Sequence, residues 1–151
     1  MPTWQPDLAP LINRIPRLYV LLRAVGDALH ADLEVTTSMA DVMAALAAGP
    51  RTVPDLARER TVSRQHIQTV VNELTAAGIA AALSNPAHRR SPLVGLTDEG
   101  RRRLKTIQDR EAALLARIAP AVSSAELAAA TRLLERLERE LTGRLAEIAL
   151  A

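Results

Sequence analysis

The chain has 151 residues, 48% of them hydrophobic, with no cysteine and a formal net charge of +2. That length implies one domain with a real core, and the missing cysteines exclude a disulfide framework, a thiolate metal site and a thiol redox switch. No apolar run approaches the roughly 20 residues that span a bilayer, and the N-terminus carries no signal-peptide pattern, so a cytoplasmic protein without membrane contact is expected.

Aromatic residues are limited to Trp4 and Tyr19. The core must therefore be Leu, Ala, Val and Ile, which suits helices packed on helices. The same shortage argues against single-stranded nucleic acid as a ligand, because that needs aromatic stacking platforms. Charge is unevenly placed. Arg51 to Arg110 holds eleven basic and six acidic residues, a net of +5, and the remaining segments carry a net of −3. A basic middle between acidic ends points to one surface that faces a polyanion. All basic residues but Lys105 are Arg, which suits phosphate forks and narrow grooves, although codon bias alone also yields such a composition.

Residues 1–6, with Pro2 and Pro6, read as a loose tail. From Asp7 to about Leu33, the residues Leu8, Leu11, Ile15, Leu18, Leu22, Val25 and Leu29 recur at steps of three and four, a near-heptad seam on a long helix. Pro10 is tolerable in its first turn, whereas Pro16 is expected to kink it. Tyr19, Arg23 and His30 lie within about 40° of one another on this helix. A second helix, Thr37 to Ala47, buries Met39, Val42, Met43 and Leu46 and stops at Gly49-Pro50. Thr52-Val53-Pro54-Asp55 opens a short helix with Leu56 and Ala57 inward, through a hydroxyl cap, an early proline and an acid in the first turn. It ends by Arg60. The short turn after it forces a large crossing angle with the next helix, a helix-turn-helix arrangement.

That next helix is capped by Thr61 or Ser63. Ile67, Val70, Val71 and Leu74 form its apolar stripe. Gln65, Gln68, Thr69 and Asn72 fall on the opposite side, flanked by Arg64 and His66. Amide side chains pair bidentately with adenine edges in a major groove, and Arg pairs with guanine. A plain solvated amphipathic helix is the competing reading. After Gly78, a helix stop, Ile79–Ser84 and Leu93–Leu96 pair as two short strands about a turn at Asn85-Pro86, with His88-Arg89-Arg90 at the tip. Thr97-Asp98-Glu99-Gly100 caps a long helix with Leu104, Ile107, Leu114, Leu115 and Ile118 inside, ended by Pro120. Ser123-Ser124-Ala125-Glu126 is a capping box. It opens a last helix whose Leu127, Ala130, Leu134, Leu137, Leu141, Leu145 and Ile148 form another near-heptad seam.

This order of elements resembles the winged-helix regulators of the MarR (multiple antibiotic resistance regulator) family along nearly the whole chain. The specific part is Asn85-Pro86-Ala87-His88-Arg89-Arg90 followed by Leu96-Thr97-Asp98-Glu99-Gly100, similar to the family's Asp/Asn-Pro-x-Asp-Arg-Arg wing tip and Leu-Thr-x-x-Gly. The resemblance implies a mainly α fold with a small β-hairpin wing. In it, residues 1–151 form one domain, 7–33 and 123–150 interlock as the dimerisation helices of a homodimer, and 37–119 form the DNA-binding lobe with its connecting helix. The departures are His88 in place of the tip's acid, Ala80-Ala81-Ala82 in a strand often charged in relatives, and Thr69 and Glu73 where relatives often carry Arg.

The expected function is a transcriptional regulator, a repressor by family analogy, bound to palindromic double-stranded DNA. Arg64, Gln65, His66, Gln68, Thr69 and Asn72 would read bases or neighbouring phosphates, Ser63 at the helix start would take a phosphate, and Arg90 with Arg89 would enter the minor groove. The resemblance further implies a small aromatic acid or phenolic effector. Tyr19, Arg23 and His30 would edge its pocket, with Met39 and Met43 as adaptable walls. The alternative for this trio is local hydrogen bonding beside a dimer interface. The alternative function is a helical dimer that binds a small molecule or protein, with its DNA activity eroded. No cofactor is expected. The three histidines, His30, His66 and His88, lie on different elements without a carboxylate at ligand spacing, so no metal is expected either. The chain shows neither a glycine-rich phosphate loop nor a Gly-flanked serine nucleophile, and catalysis is not expected.

Overall fold

A computed structural model describes residues 8–149. The expected tail over 1–6, together with Asp7 and Leu150, lies outside the described residues. Contacts divide the chain into two compact units, one running to Glu111 and the other from Ala112.

In the first unit, helix α1 spans Leu8–His30 and passes through Pro16 without a break. The proline removes one backbone hydrogen bond and leaves the flanking turns in place. A 3-10 turn, Ala31–Leu33, leads to Glu34 in the left-handed region (φ 53°). Helix α2, Thr37–Ala47, is capped by Thr36, whose hydroxyl accepts from Met39 N at 3.2 Å. Its first amide, Thr37 N, donates to Asp27 Oδ1 of α1 at 2.7 Å. Beside that bond, a methyl group at Gly26 would come within 2.7 Å of Thr37 Oγ1, so the glycine makes room for the Thr37 side chain against α1.

Strand β1 (Arg51–Thr52), helix α3 (Val53–Glu59), helix α4 (Arg64–Ala76), strand β2 (Ala80–Leu83) and strand β3 (Leu93–Leu96) follow in order. The sheet has three antiparallel strands in the order β1-β3-β2, with Arg51 opposite Val94 and Ala82 opposite Val94 on the other side. The third strand is a departure from the expected two-stranded hairpin. It is two residues long, too short for any alternation, and Thr52 is both its last residue and the cap of α3, accepting from Asp55 N at 3.2 Å. Helix α4 ends in a Schellman arrangement. Ile79 N donates to Leu74 O at 2.8 Å and Gly78 N to Thr75 O at 3.0 Å, with Gly78 at φ 69°.

The core sits between α2, α3, α4 and the sheet. Met43, Leu56, Ile67, Leu74, Ile79 and Ile107 are its largest fully buried apolar side chains. Helix α5, Asp98–Ile118, contributes Leu104 and Ile107. Leu114, Leu115 and Ile118 do not join them: Leu115 is 62% exposed and Ile118 50%. They fall after Glu111, in the second unit, where no described side chain is buried. There the expected capping box opens helix α6, Ser124–Ala149. Ser123 N donates to Glu126 Oε2 at 2.9 Å, and Glu126 N donates back to Ser123 Oγ at 3.2 Å.

Candidate nucleic-acid interface

The turn between α3 and α4 is tied by Val62 N donating to Ala57 O at 3.1 Å. Thr61 sits in it at φ 54°. Of the two expected caps, Ser63 is the one used: its hydroxyl accepts from His66 N at 3.1 Å. Ile67, Val70, Val71 and Leu74 are buried in the core. That anchors one face of α4 and fixes the other outward, so Ser63, Arg64, Gln65, His66, Gln68, Thr69 and Asn72 are all exposed. On this outer face Gln68 Nε2 donates to Asn72 Oδ1 at 2.9 Å, and Thr69 Oγ1 donates to Gln65 O at 3.0 Å.

The wing tip is held by Asn85. Its Nδ2 donates to Ser91 O at 2.7 Å, while its Oδ1 accepts from Ala87 N at 3.2 Å and His88 N at 3.3 Å. One side chain thus closes the loop that carries Arg89 and Arg90, both exposed. Read in the sequence, Asn85 marked only a turn; its amide has both the donor and the acceptor that the loop needs. Between α4 and the wing lies a groove of about 790 Å³. Arg64, Gln65, Gln68 and Asn72 line one side, Arg90 lines the other, and Val53, Val71 and Val94 contribute apolar lining. Ser63, His66, Thr69 and Arg89 are exposed without lining the groove.

Ion pairing sharpens the charge argument. Arg58 pairs with Asp55, Arg60 with Asp41, Arg101 with Asp98, Arg102 and Arg103 with Glu99, Lys105 with Asp109 and Arg110 with Asp32. The Asp98 carboxyl is held below the usual range by Arg101, and that of Glu99 by Arg103 and Arg102. Among the described residues of the basic middle, Arg51, Arg64, Arg89 and Arg90 enter no ion pair. Three of those four sit at the start of α4 or on the wing. This concentration depends on tertiary partners such as Asp41 and Asp32, which no count along the chain reveals.

The effector candidates are placed differently. Arg23 Nη1 lies 3.5 Å from Tyr19 Oη on the exposed side of α1. His30 is fully buried, with Nε2 3.5 Å from Glu111 Oε1. Met39 (5% exposed) and Met43 (0%) belong to the core. The structure therefore brings Tyr19 and Arg23 together and sets the other three side chains inside the lobe. Among the described residues no group of three or more His, Asp or Glu side chains is placed to hold a metal ion. No single described helix is long and apolar enough to cross a membrane.

The sequence model of the MarR family matches residues 33–91, from the end of the turn after α1 to the wing tip. A solved MarR family transcription regulator is 26% identical, with a TM-score of 0.84 over 93% of this chain and 93% of that one. The chain belongs to the MarR family. Other MarR structures are alike in fold. A Cys-to-Ser mutant of MarR from E. coli, complexed with operator DNA, is 20% identical with a TM-score of 0.78 over 87% of this chain and 95% of that one. The transcriptional regulator BldR from Sulfolobus solfataricus is 22% identical with a TM-score of 0.76 over 92% of this chain and 99% of that one. In sequence, an uncharacterized protein of Mycobacterium tuberculosis is 36% identical over 131 residues, 87% of this chain and 92% of its own length. As a MarR family member, this chain has α3 and α4 as its helix-turn-helix and the β2–β3 hairpin as its wing.

Proposed function

We propose that this protein is a homodimeric repressor that binds palindromic operator DNA, with α4 of each protomer in a major groove and Arg90 in the flanking minor groove. The observation that carries the reading is the concave face made by α4 and the wing. It gathers Arg64, Gln65, Gln68, Asn72 and Arg90 around one groove, and neither arginine is engaged by an acid. Arg forks and amides are the side chains that read major-groove edges, and an unpaired arginine suits the negative potential of a narrow minor groove. Ser63 and the open amides at the start of α4 suit a phosphate.

Dimerisation is supported by apolar surface. On α1, Leu18, Val20, Leu21 and Leu22 are each more than half exposed, and on α6 Leu141, Leu145 and Ile148 are 60–72% exposed. A helix of 26 residues with no buried described side chain is not held by its own packing. A two-fold axis that covers both stripes sets the recognition helices roughly 34 Å apart, one DNA turn. An effector, an aromatic acid or a phenol, would meet Arg23 and Tyr19 first and would weaken DNA binding by its preference for a different dimer spacing.

The test is to purify the protein with sheared genomic DNA, sequence the retained fragments, and sediment the protein alone at micromolar concentration. The reading expects a recurrent palindrome and a dimer. Retention without sequence preference, or a folded monomer, contradicts it.

A further inference from the structure

We propose that Gln68 and Asn72 act as one reading unit for an adenine in each operator half-site. This rests on the DNA-binding reading above and adds which base the groove selects. The two residues stand one helical turn apart on α4, both exposed and both lining the groove, with their amides joined at 2.9 Å. A carboxamide carries one carbonyl oxygen and one NH2 group. Joining two of them uses one N–H and one carbonyl. Whichever amide donates, the pair keeps one free carbonyl and one free NH2. It therefore offers the groove one free acceptor and one free donor.

In the major groove adenine is the base whose own edge sets an acceptor, N7, beside a donor, the N6 amino group. Guanine sets two acceptors there, N7 and O6, and the free carbonyl of the pair would face O6 with no hydrogen between them. The link also removes much of the rotamer freedom that a lone Gln would lose on binding. Thr69, between the two, donates its hydroxyl hydrogen to Gln65 O. It is thus no competing donor toward the base. Arg64 and Arg90, on the same groove, supply charge without that donor–acceptor pattern.

The experiment uses the full-length protein and the duplex it retains from genomic DNA. Each A·T pair of one half-site is changed in turn to G·C, and separately each adenine to 7-deazaadenine, with affinity read by fluorescence anisotropy. At one adenine both changes should weaken the parent roughly ten-fold or more. Gln68→Ala, Asn72→Ala and the double variant should each lose most of that discrimination, non-additively, with unchanged helical content. If the double variant keeps the parent's preference at every position, or if 7-deazaadenine is tolerated everywhere by the parent, the inference is overturned while DNA binding stands. If the parent binds no duplex at all, the DNA-binding reading falls and this falls with it.

Discussion

Gly100 lies directly against the carbonyl of Ile79: a methyl group at position 100 would overlap that oxygen. The carbonyl is held in place, because it also accepts from Thr97 N at 3.0 Å while the Thr97 hydroxyl donates to the adjacent Gly78 O at 2.7 Å. The Leu-Thr-x-x-Gly segment is therefore a joint. Its threonine caps α5 and pins the end of α4, and its glycine lets α5 start against β2. Gly100→Ala should lower the free energy of unfolding by about 2–3 kcal/mol in urea denaturation, the scale of overpacking in a fixed core. A loss below about 0.5 kcal/mol, the scatter of neutral surface changes, contradicts this packing.

Thr61 occupies the left-handed region with a β-branched side chain (φ 54°), a conformation that costs non-glycine residues about 1–2 kcal/mol. Thr61→Gly should therefore leave stability unchanged or raise it by up to about 1 kcal/mol, since glycine adopts this conformation freely and only its larger unfolded-state entropy opposes the gain. Thermal unfolding at fixed concentration checks it, and a clear loss of stability would show that the Thr61 side chain holds the turn.

Buried His30 makes no hydrogen bond through either ring nitrogen among the described residues, although the Glu111 carboxylate stands 3.5 Å from its Nε2. A desolvated, unpartnered polar group is destabilising, and an apolar side chain of similar size relieves it. His30→Leu should be neutral or stabilising by about 1 kcal/mol, while His30→Ala should lose about 2–4 kcal/mol to the cavity it leaves. Equal losses for both variants would mean that the ring is held by a polar contact.

Asp27 ties α1 to the start of α2, and hydrogen bonds from the Thr37 hydroxyl and amide hold its carboxyl below the usual range. A carboxyl depressed in the folded state contributes stability above its unfolded pKa, and that contribution is lost as pH falls through the folded value. Parent stability should thus decline on acidification below about pH 4, and Asp27→Asn should show a shallower decline over the same window. Identical pH profiles in urea unfolding contradict the assignment.

Much of this molecule was readable from the chain because its signals are local. The Thr37–Ala47 helix, the Gly78 stop, the Ser123–Glu126 box and strand β3 each rest on a cap, a glycine or a short periodic run, and each is found where the residues put it. The α4 stripe Ile67, Val70, Val71 and Leu74 fixed which side chains face outward. What stayed hidden depends on partners distant in sequence: strand β1 exists only because β3 pairs with it, Asn85 closes a loop onto Ser91, and Arg60 and Arg110 are neutralised by Asp41 and Asp32. Leu115 and Ile118 show the converse, since periodicity marks an apolar face without saying what covers it.

The wing offers a graded check. Arg90→Ala should weaken operator binding by about 1–3 kcal/mol, a lost groove contact. Asn85→Ala, which frees the tip without removing charge, should weaken it in the same direction with unfolding free energy little changed.

The central claim, that α4 and the wing form a DNA-binding face, is tested most directly by the salt dependence of binding. Affinity for the retained genomic duplex should fall linearly on a log–log plot against salt, with a slope of about −0.9 per neutralised phosphate. Arg64→Ala combined with Arg90→Ala should both weaken binding and flatten that slope by about one or more units. A parent whose duplex binding is independent of salt, or a double variant with the parent's slope and affinity, would contradict the account.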